Sequence, residues 1–287
     1  MKLSDMRELL GARDIRLTKS LGQNFLHDQN QLRRIAAAAE LSANDRVLEI
    51  GPGLGPLTEL LVEKAGHVLA IEKDARLVEV LQGRFAKVQK LELIHADAMD
   101  AVRDRFRDWH DWKLVANLPY SVASPILVEL AQNPRRPERM VVTLQLEVAK
   151  RIMAKVDDED YGVLTLLLQL RYAPKEWFKI PRGCFFPEPD VDSACVILLR
   201  RTTPLLDEEQ HAVFERIVKL AFSQRRKVMA KLLKQNWPVE RLAAALNALQ
   251  LRPDVRGEKL SLDQFVAFTK ILATKDQGLV QLVPPNE

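Results

Sequence analysis

Residues 46–58 read RVLEIGPGLGPLT, an apolar run that breaks into glycine at every second position and then resumes as a helix-forming stretch. The aliphatic and β-branched content of RVLEI is that of a buried strand. Gly51, Gly53 and Gly55 let the backbone turn sharply and lie against a ligand with no Cβ in the way. Pro56 suits a first helical turn, where a missing N–H costs nothing. Strand, glycine loop and helix together open a βαβ unit with a ligand at its turn.

Outward from this loop the alternation continues to about residue 145. HVLAIE (67–72), LELIHAD (91–97), KLVAN (113–117) and MVVTLQ (140–145) are short strand-like runs. Helical patterns such as LTELLVEKA and ARLVEVLQGRF lie between them, with apolar residues at three-to-four spacing. Strands separated by helices predict parallel pairing with right-handed crossovers, an α/β fold with a mostly parallel, Rossmann-like sheet. GVLTLLLQLRY reads as a buried helix, and KEWFKI and DSACVILLRR as two closing strands around the proline-rich CFFPEPDVDS. From about residue 202 the pattern is helical only, through HAVFERIVKLAF, RKVMAKLLKQ, VERLAAALNAL and LDQFVAFTKIL. The expected division is a Rossmann-like domain over 1–201 and a small all-helical domain with a tail over 202–287.

The details of the loop narrow its ligand. A dinucleotide fingerprint is G-x-G-x-x-G, but here the third glycine comes one position early and position 56 is proline. Glu49, just before the loop, is expected to repel a pyrophosphate. Glu72 ends the second strand, 21 residues after Gly51, where a carboxylate accepts bonds from ribose hydroxyls. Asp97 ends the third strand, in reach of an adenine amine. A ribose, an adenine and a cation without phosphate describe S-adenosylmethionine.

The fourth strand runs into Asn117-Leu118-Pro119-Tyr120. Taken alone, NLPY also fits a surface turn. At a strand end beside the presumed cofactor, it reads as a pocket for a flat, nitrogen-bearing substrate. The Asn117 side-chain oxygen and the Leu118 carbonyl would accept the two hydrogens of an adenine amine. Pro119 would stiffen that geometry, and Tyr120 would stack on the base. Such a site works by positioning and electrostatics and needs no general base before attack.

The chain has 287 residues, 47% of them hydrophobic, and a formal net charge of +4. That permits a nucleic-acid partner without demanding one. Cys184 and Cys195, without a C-x-x-C and with five scattered histidines, predict neither a disulfide framework nor a metal site. The N-terminal segment lacks the apolar stretch of a signal peptide, and no run is long enough to span a bilayer, so a cytoplasmic protein is expected. Arg225, Arg226, Lys227, Lys231 and Lys234 crowd SQRRKVMAKLLKQ (223–235) without an acid. A helix would put 227, 231 and 234 on one face, as an RNA backbone requires, although such runs are equally often plain solvated faces. Arg13, Arg16 and Lys19 would extend the patch.

Beyond these individual readings, the chain resembles the ribosomal RNA adenine dimethyltransferases, most closely their bacterial small-subunit members. The resemblance is carried by LGQNFLHD (21–28), VLEIGPGLGPLT (47–58), AIEKD (70–74), HADAM (95–99) and ANLPYSVASPIL (116–127). YGVLT (161–165), FFPEPDVDSA (185–194), AFSQRRK (221–227) and RGEKLS (256–261) extend it over nearly the whole chain. It implies a class I methyltransferase in which Asn24 and Leu26 close over the cofactor, with Gly51, Gly53, Glu72, Asp97 and Asn117 in its pocket. It places Phe185 on the target base opposite Tyr120, since a flipped base needs an aromatic sandwich. The implied partner is 16S rRNA in an assembling small ribosomal subunit, with two adjacent adenosines of a 3′-terminal hairpin loop as targets, and the enzyme a monomer. Leu146 stands where the family commonly carries lysine. The alternatives are a macrolide-resistance-type 23S rRNA adenine methyltransferase, a non-catalytic rRNA-binding assembly factor and, more distantly, a nicotinamide dehydrogenase.

Overall fold

The structure, a computed structural model, describes residues 1–15, 23–105 and 107–274. It divides into two compact units, residues 1–154 with 167–202, and residues 155–166 with 203–287. The first unit begins with α1 (Leu3–Ala12), β1 (Phe25–Leu26) and α2 (Gln29–Ala38). The alternating run follows as β2 (Arg46–Ile50), α3 (Pro56–Lys64), β3 (His67–Glu72), α4 (Ala75–Arg84), β4 (Leu91–His95), α5 (Ala98–Arg103), β5 (Trp112–Asn117), α6 (Ala123–Gln132) and β6 (Arg139–Gln145). Then come α7 (Leu146–Met153), α8 (Val163–Gln169, at whose Leu166 the unit boundary falls), β7 (Tyr172–Ile180), β8 (Phe185–Phe186) and β9 (Ser193–Arg200).

Seven strands form one sheet in the order β4-β3-β2-β5-β6-β9-β7, parallel from β4 to β6 and antiparallel at β9 and β7. The order reverses between β2 and β5. A crevice therefore opens at the carboxyl ends of these two strands, the place where open α/β sheets bind ligands. The glycine loop follows β2 and NLPY follows β5, so the two motifs meet there. Side chains alternate across the sheet, and Val47, Val115, Val141, Cys195 and Ile197 share one face with Leu57 and Leu61 of α3. Burying each such aliphatic side chain stabilises the unit by roughly 1.5–3 kcal/mol. Aspartates start three of this unit's helices: Asp28 accepts from the N–H groups of Asn30 and Gln31, Asp74 from Arg76, and Asp97 from Met99.

The expected helix GVLTLLLQLRY is shorter than its pattern. It stops at Gln169, and Tyr172 opens β7. Tyr172 is buried and donates its hydroxyl hydrogen to Pro137 O at 2.7 Å, so its ring serves the sheet core.

The second unit holds α9 (Glu208–Ala221), α10 (Met229–Leu233), α11 (Val239–Ala248) and α12 (Leu262–Ala273). Capping boxes begin α9, at Asp207 and Gln210, and α12, at Ser261 and Gln264. Phe214, Phe222 and Phe265 pack ring against ring in its core. Residues 155–166 belong to this unit rather than to an unbroken sheet domain, because Tyr161 is anchored there. Its hydroxyl donates to Leu260 O at 2.9 Å and its ring meets Phe222 edge-on. RKVMAKLLKQ is also not one helix. Lys227 lies in a turn, its N–H bonded to Gln224 O, and α10 begins only where Met229 N donates to Val255 O. The single helical face expected for 227, 231 and 234 is therefore not formed.

Candidate active site

Gly51, Gly53 and Gly55 all adopt positive φ, the left-handed region that side chains disfavour. At two of them the neighbours tie the loop to other parts of the site. A Cβ on Gly53 would fall 2.6 Å from the Phe25 ring, and one on Gly51 would fall 3.2 Å from Pro119. The loop is thus clamped between the N-terminal strand and NLPY. Gly51 N donates to Ile71 O at 2.9 Å, and Gly53 N to Glu72 Oε2 at 3.1 Å, tying the loop to the end of β3 as well.

Glu72 is buried, and its other oxygen accepts from the N–H groups of Lys73 and Asp74, both at 2.9 Å. Burial pushes its carboxyl above the usual range, while these backbone bonds pull the other way. Asp97 caps α5 with one oxygen and pairs with Lys73 Nζ at 2.8 Å through the other. That lysine, with the Met99 N–H, holds the Asp97 carboxyl below its ordinary value. Glu49 departs from the expected role. It is 1% exposed, accepts from Thr58 Oγ1 at 2.7 Å, and burial pushes its carboxyl up to about 8. At neutral pH it is largely protonated, so it offers no full charge to repel a pyrophosphate.

Asn117 closes β5 opposite Thr143 of β6, whose carbonyl accepts from Leu118 N at 3.0 Å. The Asn117 Nδ2 group donates to the backbone carbonyl of Asn24 at 3.0 Å. Its Oδ1 is buried and accepts no hydrogen bond among the described residues. Buried acceptors are nearly always partnered in folded proteins, so this one is an opening for a donor. Tyr120 bonds through its hydroxyl to Ser193 Oγ, and burial raises its phenol above the ordinary value.

One cavity brings these groups together: Asn24, Gly51, Gly53, Glu72, Asp97, Asn117, Leu118, Pro119 and Tyr120 all line it. Leu26 and Phe185 do not line it. They are 1% and 3% exposed, paired with each other across the β1–β8 ribbon, and packed in the sheet core. Strand alternation is the reason: when Leu26 and Phe185 face the core, Phe25 and Phe186 face the other way. Phe25 accordingly lines the cavity, with Gln23 and Lys73, three residues that sit within the LGQNFLHD and AIEKD stretches without a role assigned to them there. Ser193 does not line the cavity but bonds Tyr120 from 73 residues away, and no local pattern links the two.

Of the basic run, Arg225 is taken up by an ion pair with Glu258 at 3.0 Å, whereas Arg226, Lys227, Lys231 and Lys234 are exposed. Arg13 ends α1, and Arg16 and Lys19 lie outside the described residues. Leu146 opens α7, its N–H bonded to Asp192 O. Among the described residues no group of three His, Cys, Asp or Glu side chains is placed to hold a metal ion, and no helix is long and apolar enough to cross a membrane.

A mostly parallel sheet with a glycine loop, a β3-end glutamate and a β5-end asparagine at its switch point is the architecture of a class I methyltransferase. Residues 15–274 match the family described as ribosomal RNA adenine dimethylase, and the chain belongs to that family. The chain is 38% identical over 276 residues to the ribosomal RNA small subunit methyltransferase A of a Geobacillus strain, covering 93% of this chain and 95% of that one. It is 39% identical over 259 residues to the protein of the same name from Chlamydia felis, covering 89% of each. Among solved structures it is similar to a dimethyladenosine transferase from Plasmodium falciparum, with a TM-score of 0.74 and 25% identity over 85% of this chain and 95% of that one. The 23S rRNA methyltransferase ErmE is also similar, with a TM-score of 0.66 and 29% identity over 87% of this chain and all of that one.

Proposed function

We propose that this protein transfers methyl groups from S-adenosylmethionine to N6 of two adjacent adenosines in a 3′-terminal hairpin loop of 16S rRNA. The product is N6,N6-dimethyladenosine, made during assembly of the small ribosomal subunit. The observation that carries this reading is the buried, unpartnered Oδ1 of Asn117, a residue that lines the same cavity as Glu72 and Asp97.

The cavity suits the cofactor. Glu72 would take the ribose hydroxyls, the Gly51–Gly53 backbone admits close approach, and Asp97 stands in reach of an adenine amine. Bound there, S-adenosylmethionine supplies an electrophilic methyl group. The work left to the chain is to present the nucleophile. An adenine amine is a weak one, because its lone pair is delocalised into the ring. Asn117 Oδ1 and the Leu118 carbonyl would accept its hydrogens and favour a pyramidal nitrogen with the lone pair aimed at the methyl carbon. Once methylated, the amine nitrogen would be acidic and would release its proton to solvent without a general base from the chain. For the second transfer one hydrogen remains, and one acceptor suffices. Tyr120 would support the face of the base. We assign phosphate contacts to Arg226, Lys227, Lys231 and Lys234, and Arg225 to the same surface through its pair with Glu258. We further place the enzyme in the cytoplasm as a monomer.

The likeness to ErmE supports a second reading, methylation of an adenine in 23S rRNA. The small-subunit relatives, at 38% and 39% identity, weigh more heavily on the side of 16S rRNA. Incubating the protein with labelled cofactor and either unmethylated small subunits or 23S rRNA, followed by nucleoside mass spectrometry, separates them. Dimethyladenosine in 16S rRNA is expected; label confined to 23S rRNA, or absent from both, overturns the proposal.

A further inference from the structure

We propose that the backbone carbonyl of Asn24 is a positioning group for methyl transfer, fixing the Asn117 amide so that Oδ1 and not Nδ2 faces the cavity. The inference rests on Asn117 as the acceptor for the adenine amine and adds what sets its orientation.

An asparagine amide has two ends of nearly equal size, and a half-turn about its last bond exchanges an acceptor for a donor. With Nδ2 turned inward, donor hydrogens would confront the hydrogens of the adenine amine. Something must therefore forbid that rotamer. Asn24 O, 3.0 Å from Nδ2, is that constraint, because a carbonyl oxygen accepts and never donates. Rotating Oδ1 into this position would set two oxygens against each other and forfeit a partly buried hydrogen bond.

The carbonyl is itself held in place, although it lies 93 residues from Asn117 in the chain. Directly after it, Phe25 and Leu26 pair antiparallel with Phe186 and Phe185. His27 N then donates to Cys184 O at 2.9 Å, and Asp28 caps α2. The Phe25 ring lies against Gly53, and both residues line the same cavity. The N-terminal ribbon thus supplies the orienting contact for an amide on β5, and the amide keeps Oδ1 free for the substrate.

Asn117→Asp in the full-length protein separates this positioning from acceptor chemistry alone. A carboxylate accepts at both oxygens and, if acceptance were sufficient, would serve as well as the amide. Facing Asn24 O it has no hydrogen to give and is repelled. The expected result is a loss of about 100-fold in kcat at pH 8 with cofactor affinity retained, the scale of a misplaced reacting group. Activity of the variant should then climb as pH falls and the protonated acid regains a donor for Asn24 O, against wild-type protein measured alongside. Near-wild-type activity across the pH range overturns the proposal. A second readout needs no turnover. In the free wild-type protein, the Asn117 side-chain amide protons should exchange slowly with solvent by nuclear magnetic resonance. Exchange as fast as that of an exposed asparagine overturns the proposal on its own. Wild-type protein that methylates no adenine would instead sink the functional reading, leaving the amide measurement to decide the positioning.

Discussion

Among the described residues, Glu49 accepts one hydrogen bond, from Thr58, and has no cation beside it. Its carboxyl is pushed to about 8 in the fold, against about 4.5 for an unburied glutamate. The folded state therefore holds a proton that the unfolded chain has released between these values. That contribution to stability is fully present below about pH 4.5 and is lost as pH rises through about 8. Glu49→Gln keeps an oxygen for Thr58 and removes the titration. In urea titrations from pH 5 to 8, wild-type stability should fall relative to the variant by up to roughly 1 kcal/mol per pH unit. Parallel curves would show that the carboxyl does not titrate there. Glu72 poses a different problem, because three backbone N–H groups point at its two oxygens. A glutamine offers only one oxygen, so its NH2 would oppose either Gly53 N or the Lys73 and Asp74 pair. Glu72→Gln should therefore weaken cofactor binding nearly as much as Glu72→Ala, by about tenfold or more in calorimetry, a loss of ~1.4 kcal/mol. A glutamine variant that binds like wild type would remove Glu72 from the ribose assignment.

At the level of elements, β2 to β6 were readable because each strand carries its own apolar pattern and a helix separates it from the next. The glycine loop and NLPY were also legible as lying at strand ends beside a ligand, but the strand order that makes a switch point there came only with the structure. The β1–β8 ribbon was not readable in this way. Two residues per strand carry no period, so the phase that turns Phe25 to the cavity and Leu26 to the core had to come from its partner strand. Phe185 fell on the wrong side for the same reason. The basic run misled differently: its helical spacing is real, but Met229 N bonds to Val255 O and starts α10 after the last of its three consecutive cations. Long-range bonds of this kind leave no local trace. The ribbon also makes a prediction about the loop it clamps. Gly53→Ala combines a φ of +62° with a Cβ 2.6 Å from the Phe25 ring. Backbone strain of this type costs about 1–3 kcal/mol. The variant should melt several degrees lower and bind cofactor more weakly, as read by thermal denaturation with and without S-adenosylmethionine. An unchanged melting temperature would mean that the loop is not clamped.

Across the whole molecule, some cations are held by a carboxylate and others are left exposed. In the first unit, several cations on the sheet strands are engaged: Lys113 with Asp45, Arg139 and Lys175 with Glu40, and Lys179 with Asp192. In the second, Arg226, Lys227, Lys231 and Lys234 are exposed, and none pairs with a carboxylate among the described residues. Exposed ion pairs contribute little to stability, so removing unpaired lysines should leave the fold unharmed. They matter if a polyanion is the partner. Each neutralised phosphate releases counterions, and for a single-stranded loop the slope of log affinity against log salt steepens by about 0.7 per phosphate. Lys231→Glu with Lys234→Glu should weaken binding to small-subunit rRNA and flatten that slope, by about 0.7 for each phosphate no longer neutralised. Cofactor affinity should not move, since every residue lining the cavity belongs to the first unit. Filter binding from low to physiological salt, paired with cofactor calorimetry on the same preparation, gives both quantities. An unaltered salt slope would mean that these lysines form a solvated face, and the RNA backbone would then have to be held by other cations.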